Sequence, residues 1–305
     1  MDDAEHFARR FEEHRGHLRA VAYRMLGSLS EAEDALQEGW LRASRADSGA
    51  VDNMGGWLTT IVARICLNML RARGTRREAP LDVAEYEYEY GYGYVHVPDP
   101  LLGPVDGPDP EQEVLLADSV GLALMVVLET LTPAERLAFV LHDMFAVPFD
   151  EVATVVDRTP AATRQLASRA RRRVRGQAPS RAADRARQRE VVDAFISAAR
   201  GGDFEALLAL LDPDVVLRAD AGALPTTKLV RGARAVAGQA AAFRGLAAHN
   251  EPVLVNGAPG IVATSGGRAL SVLAFTVGPA GKITELNILA DPNRLQTLNL
   301  PFLTP

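Results

Sequence analysis

"RTPAATRQLASRARRRVR", residues 158–175, places seven arginines in eighteen positions of a 305-residue chain whose formal net charge is −6. Thr159 followed by Pro160 predicts a helix start, because threonine accepts a hydrogen bond from a free first-turn amide and proline at the first helical position gives up none. Over residues 160–175 the spacing predicts a narrow apolar stripe, Leu166, Ala170 and Val174, opposite a polar face with Arg164, Ser168, Arg171, Arg172 and Arg175. Three uses compete for such a helix: a solvated face, a membrane-surface helix and a helix that enters a nucleic-acid groove. The membrane reading needs a wide face of large apolar side chains, and this helix offers one leucine.

The preceding segment narrows the choice. Thr132, Pro133 and Glu135 predict a capping box that opens a helix to about Met144, burying Leu137, Val140 and Leu141. A shorter helix from about Phe149 to Val156 follows, and a tight turn at Asp157 and Arg158 leads into the basic helix. Two short helices joined by a tight turn, the second basic, are the pattern of a helix-turn-helix. Its arginines would neutralise phosphates and make bidentate contacts to guanine edges. A basic helix that is only solvated stays open on this segment alone.

The N-terminal part has its own pattern. Ser30 and Glu33 predict a capping box opening "SLSEAEDALQEGWLRA", with Ala32, Ala35, Leu36, Gly39 and Trp40 inward and an acidic face of Glu31, Glu33, Asp34 and Glu38 outward. A glycine-containing loop, "ADSGAVDNMGGW" (46–57), precedes the long helix "WLTTIVARICLNMLRARGTRRE". Leu58, Ile61 and Ile65 of that helix face a core, while Arg64, Asn68 and Arg71 provide a polar, increasingly basic surface.

In this order and spacing, these segments resemble regions two and four of the extracytoplasmic-function bacterial sigma factors. The resemblance covers about residues 7–77 and 111–176. It implies a multidomain chain with two all-α sigma domains: a region-two helical bundle (1–77) and a region-four helix-turn-helix domain (111–178). It further implies core RNA polymerase and promoter DNA as partners. Asp34, Gln37, Glu38 and Trp40 fall where the family docks on the polymerase core. Asn53, Trp57, Arg64, Asn68 and Arg71 match the −10 elements, where a flipped base costs a few kcal/mol that a pocket must recover. Arg164, Gln165, Ser168 and Arg169, with Arg171, Arg172 and Arg175, fall where the family reads the −35 duplex. The resemblance implies no catalytic residue, metal or cofactor.

Between the two helical blocks, residues 78–110 hold eight acidic residues, six prolines, five tyrosines and no lysine or arginine. The prolines forbid a continuous helix, and the segment reads as a linker, either a solvated spacer or, by the resemblance, an acidic chain threading the polymerase cleft. "VPDPLL" at 97–102 loosely matches the proline-containing linker motif of sigma factors that carry a C-terminal extension.

The chain continues beyond region four. Residues 187–297 predict two helices, a strand, another helix and antiparallel strands at "EPVLVN", "GIVATS", "ALSVLAFTV" and "KITELNIL". That order resembles the α+β cone-shaped barrel of the polyketide-cyclase-like (SnoaL-like) branch of the nuclear-transport-factor-like superfamily. "DPNRL", comprising Asp291, Pro292, Asn293, Arg294 and Leu295, resembles a regulatory motif of that extension, and "DAGAL" (220–224) a more distant second one. Two roles follow for the domain: a regulator that docks on regions two and four with residues 291–295 near the contact, or a small-molecule-binding or isomerase/cyclase-like module using Asp220 and His249.

Composition sets the remaining bounds. One cysteine, Cys66, excludes an intrachain disulfide or a cysteine-cluster zinc site. The longest apolar run, "VGLALMVVL" (120–128), is about half a membrane span, and the acidic N-terminus is unlike a signal peptide, so a cytoplasmic protein is expected.

Overall fold

The computed structural model describes residues 3–46, 51–77, 95–105, 121–177, 185–222, 227–242 and 249–298. The tyrosine-rich run of the linker, the start of the second helical block (111–120) and the end of "DAGAL" lie outside the described residues. The chain forms two compact units, residues 1–81 with 127–177, and residues 82–126 with 178–305.

The first unit is helical. Helices α1 (Asp3–Leu26), α2 (Leu29–Ala43) and α3 (Met54–Arg77) form one bundle. Phe11, Leu18, Met25, Leu36, Leu58 and Leu67 are fully buried there, at about 1.5–3 kcal/mol for each side chain removed from water. Gly39 allows α2 to approach α3 closely, since a Cβ at that position would lie 3.0 Å from Val62 Cγ2. The cap of α2 differs from the expected one. Ser28, not Ser30, is the N-cap, accepting from the amide of Glu31, so α2 begins two residues earlier and Ser30 lies within its first turn.

Helix α4 (Leu122–Glu129) leads to α5 (Pro133–Phe139), which Thr132 and Glu135 open with the predicted capping box. The helix does not continue to Met144 as an α-helix, because Val140–Met144 widen into a π-helical turn. Helix α6 (Phe149–Val156) ends at Asp157 in the left-handed conformation (φ 59°), a geometry that aspartate tolerates better than most residues, and α7 (Pro160–Gln177) follows. Thr159 Oγ1 accepts from the amide of Ala162, as its position predicts.

The second unit packs helices on a seven-stranded sheet with the order β1-β4-β5-β6-β7-β2-β3. Its helices are α8 (Arg185–Gly201), α9 (Phe204–Leu210), α10 (Ala233–Ala242) and α11 (Pro292–Thr297). The strands are β1 (Leu102–Gly103), β2 (Leu211–Asp220), β3 (Lys228–Arg231), β4 (His249–Val255), β5 (Ala258–Ser265), β6 (Arg268–Val277) and β7 (Ile283–Leu289). All pairs are antiparallel except β2 with β7. Val192, Phe195, Leu207, Leu217, Val236, Phe275 and Leu286 form the core between helices and sheet.

One edge of the sheet is supplied by the linker. Val97, Asp99, Leu101 and Leu102 are buried, Leu102 pairs with Val255, and Leu101 exchanges two hydrogen bonds with Asn256. Residues 95–105 are therefore not a solvated spacer. Apolar side chains at 95, 97, 101 and 102 give this stretch something to bury.

Candidate nucleic-acid interface

The buried side of α7 is Thr163, Ala167, Ala170 and Val174. Ala170 and Val174 of the expected stripe are buried, while Leu166 is only half-buried and Thr163 and Ala167 complete the side in its place. The small residues Ala167 and Ala170 let α7 lie close to α5, and the stripe's narrowness leaves a wide outer face. Arg164, Gln165, Ser168, Arg169, Arg172 and Arg175 are all exposed on that face. Arg171 stands at its flank, with Nε donating to Asp143 Oδ1 at 2.6 Å. The guanidinium of Arg164 lies over the Phe149 ring, 5.5 Å from its centroid, and that ring is itself stacked on His142. Cation–π contact thus aims the first arginine of the face.

In α3, Arg64, Asn68 and Arg71 recur at helical spacing and are exposed together, with Trp57 half-buried one turn or more before them. Asn53 is exposed at the helix entrance, where its Oδ1 accepts from the amide of Gly56 at 3.0 Å. A cavity of about 430 Å³ opens there, lined by His14, His17, Asn53 and Thr60 on one side and by Pro148, Glu151 and Val155 of the helix-turn-helix segment on the other. A second cleft, about 310 Å³, holds Arg64, Asn68 and Arg71 facing Thr154 and Asp157. Arg64 Nη2 donates to Thr154 O at 2.7 Å across it. The buried Arg136 of α5 ties the same two parts together: Nη1 donates to Met25 O at 2.7 Å and Nε to Leu128 O at 2.9 Å. Burial lowers its pKa to about 10. The base-reading candidates of the N-terminal bundle therefore border clefts shared with α6 while staying exposed to solvent.

Asp34 and Gln37 are exposed on α2, and Glu38 is ion-paired with Arg42 at 2.6 Å. Trp40 packs against Phe7 and Phe11, each with its ring centroid 5.1 Å away. The indole is half-buried by these contacts. Leu41, 46% exposed and one turn after Gln37, adds an apolar side chain to the outward face. Helical spacing sets Leu41, five residues on, about 140° round the helix from the buried Leu36, which is the signal that places it outward.

The three motifs set apart in the linker and C-terminal block converge on one guanidinium. Arg294 donates from Nε to Asp99 Oδ1 at 2.8 Å, from Nη1 to Asp220 Oδ2 at 2.8 Å and from Nη2 to Val97 O at 2.6 Å. Asp220 also accepts from the amides of Val97 and Gly222. Asp291 caps α11, Leu295 is buried, and Pro292 and Asn293 are exposed. Gly222, at φ 64°, must lack a Cβ because one would lie 2.5 Å from Asp291 Oδ2. Asp220 and His249 do not form a pair; Asp220 is the buried anchor of Arg294, and His249 is exposed at the start of β4.

Residues 10–76 match the Sigma-70 region 2 family and residues 121–174 match Sigma-70 region 4. Across 93% of the chain, the sequence is 39% identical to the ECF RNA polymerase sigma factor SigJ of Mycobacterium tuberculosis (strain H37Rv), covering 91% of that protein. The chain belongs to the extracytoplasmic-function sigma factors. A probable ECF sigma factor of the same species, SigI, is 36% identical over 93% of both chains. The crystal structure of M. tuberculosis SigJ superposes with a TM-score of 0.72 at 36% identity, covering 95% of this chain and 98% of that one. The sigma factor thus has the expected fold class throughout: two helical sigma domains followed by an α+β domain, and its function is promoter-directed transcription. Among the described residues, no helix is long and apolar enough to cross a membrane.

Proposed function

We propose that this sigma factor binds core RNA polymerase through the α2 face of Asp34, Gln37, Glu38 and Leu41 and reads promoters with two separate surfaces. The outer face of α7 reads the −35 duplex, with Arg164, Gln165, Ser168 and Arg169 at base edges and Arg172 and Arg175 on phosphates. Asn53, Arg64, Asn68 and Arg71, beside Trp57, hold the −10 strand. The observation that carries this reading is the division of α7 into a buried side of small residues and an unobstructed basic side. Initiation from one cognate promoter, reconstituted with purified core enzyme, tests it; tight duplex binding with no association to core enzyme would sink it.

The C-terminal domain acts in this proposal as a regulator, not as a catalyst, and it acts on regions two and four through the linker. Two observations favour that over an isomerase or cyclase. The carboxylate an enzyme would need, Asp220, is occupied by Arg294 and two amides. The domain's apolar cavity has no aspartate, glutamate or histidine among the described residues that line it. Transcription by full-length protein and by forms cut after Gln177 and after Ala290, at equal concentration, tests the regulation; the second cut removes α11 and should raise activity.

A further inference from the structure

The π-helical turn Val140–Met144 puts two neighbouring side chains to different uses. Its widened bond runs from the amide of Phe145 to Val140 O at 3.2 Å, and the amide of Val147 reaches Leu141 O at 2.9 Å. Ala146 between them takes the left-handed conformation (φ 54°), so the chain turns sharply before α6.

His142 uses this turn to hold a ring. Its Nδ1 donates to Val147 O at 2.9 Å, which fixes the plane of the imidazole, and the imidazole stacks on Phe149 with the two planes 26° apart. Phe149 opens α6 and is half-buried. The Arg164 guanidinium that lies over its ring meets no carboxylate and no hydrogen-bond acceptor among the described residues. Its donors are uncommitted while its direction is set.

Asp143 takes the other part. Its Oδ1 holds Arg171 Nε, and both side chains are only partly exposed. Arg164 and Arg171 stand about two turns apart, on one side of α7, so helical spacing treats them alike. The π-helical turn separates them: one arginine is aimed and free, the other is paired.

Resting on the assignment of α7 to the −35 duplex, we infer that this turn sets promoter specificity from outside the recognition helix. Phe149, backed by His142, is a positioning residue that presents Arg164 to a base edge, and Asp143 withholds Arg171 from the phosphate backbone. A pre-aimed side chain loses less rotamer freedom when it reads a base. An arginine paired with a carboxylate releases fewer counterions and adds little sequence-independent affinity.

The experiment uses holoenzyme reconstituted with the full-length protein, and promoter duplexes altered one base pair at a time through the −35 element and bound in competition. Arg164→Ala locates the base pair that Arg164 reads. Phe149→Leu should lower discrimination at that pair by about two- to fivefold, the range of an exposed cation–π contact, and should add nothing to Arg164→Ala when the two are combined. Phe149→Tyr, which keeps the ring, should preserve it. Damage to the domain alone would weaken binding to every duplex equally. Asp143→Asn should steepen the salt dependence of binding by roughly 0.9 in log K against log salt, one phosphate contact, and adding Arg171→Ala should return the wild-type slope. In the free wild-type protein, with no variant to fold, the ring current should move the Arg164 Nε–H proton upfield of those of Arg169 and Arg172. If Arg164→Ala relaxes a base pair that Phe149→Leu leaves untouched, or the two effects add, the inference is overturned and the −35 reading stands. An absent ring-current shift or an unchanged slope in Asp143→Asn overturns it as well. No relaxation in Arg164→Ala overturns both.

Discussion

Replacing Arg294 with alanine should release the linker from the α+β domain. The guanidinium carries contacts to Asp99, Asp220 and Val97 O, and the two carboxylate side chains are 8% and 5% exposed. Removing one partner of a buried ion pair costs about 3–5 kcal/mol, because the remaining carboxylates stay desolvated without their charged donor. At 1.4 kcal/mol per factor of ten, the open population of residues 95–105 should rise roughly a hundred- to several-thousand-fold. The reporters are the amides of Val97, which donates to Asp220 Oδ2, and Leu101, which donates to Asn256 Oδ1. Their hydrogen exchange should accelerate by that factor, while the amides of Val262 and Leu273 inside the sheet keep their protection. Arg294→Lys should fall between, since an ammonium keeps the charge but cannot form the fork. Unchanged exchange at Val97 and Leu101 in Arg294→Ala would refute the assignment of Arg294 as the linker's anchor. Equal acceleration at Val262 would mean that the domain had unfolded as a whole.

Other consequences can be measured directly. Arg164→Ala should cost about 1–3 kcal/mol and relax specificity at one −35 position, whereas Arg175→Ala should weaken binding to all sequences and lessen its salt dependence; identical profiles from the two would contradict the division of the α7 face. Arg136→Met leaves Met25 O without its charged donor, at about 1–3 kcal/mol, so fluorescence energy transfer between labels on α2 and α7 should report a more open first unit. Burial pushes the Cys66 thiol from 9.0 up to about 12, leaving about one part in ten thousand ionised at pH 8. Disulfide-exchange reagents should therefore label it only as fast as region two opens. The folded state holds that proton more tightly than the unfolded chain. Its contribution to stability is thus complete below about pH 9 and is lost as pH rises towards 12, a loss that Cys66→Ala should remove from the alkaline unfolding curve.

Local chemistry made much of this molecule legible in its sequence. Thr132 with Glu135, Thr159 with Pro160, and the turn at Asp157 each satisfy free helix-end groups within a few residues, so the helix-turn-helix could be read without its surroundings. Short apolar runs bounded by glycine turns likewise announced β4 to β7. The cap of α2 was less legible, because Ser28 and Ser30 offer equivalent hydroxyls, and in the α7 stripe Ala170 and Val174 are buried as expected but Ala167 takes the place of Leu166. What only the tertiary structure decided are the long-range pairings. Asp99, Asp220 and Arg294 are separated by up to 195 residues, and no local preference distinguishes a buried charge from a solvated one until its partners are in place. The two-residue strand β1 is too short to show a period, and the bond from Arg64 to Thr154 O of α6 depends on packing between segments about ninety residues apart. Sequence by itself determined which helices form and which of their faces are charged; the folded chain decided which of those charges remain available to a nucleic acid.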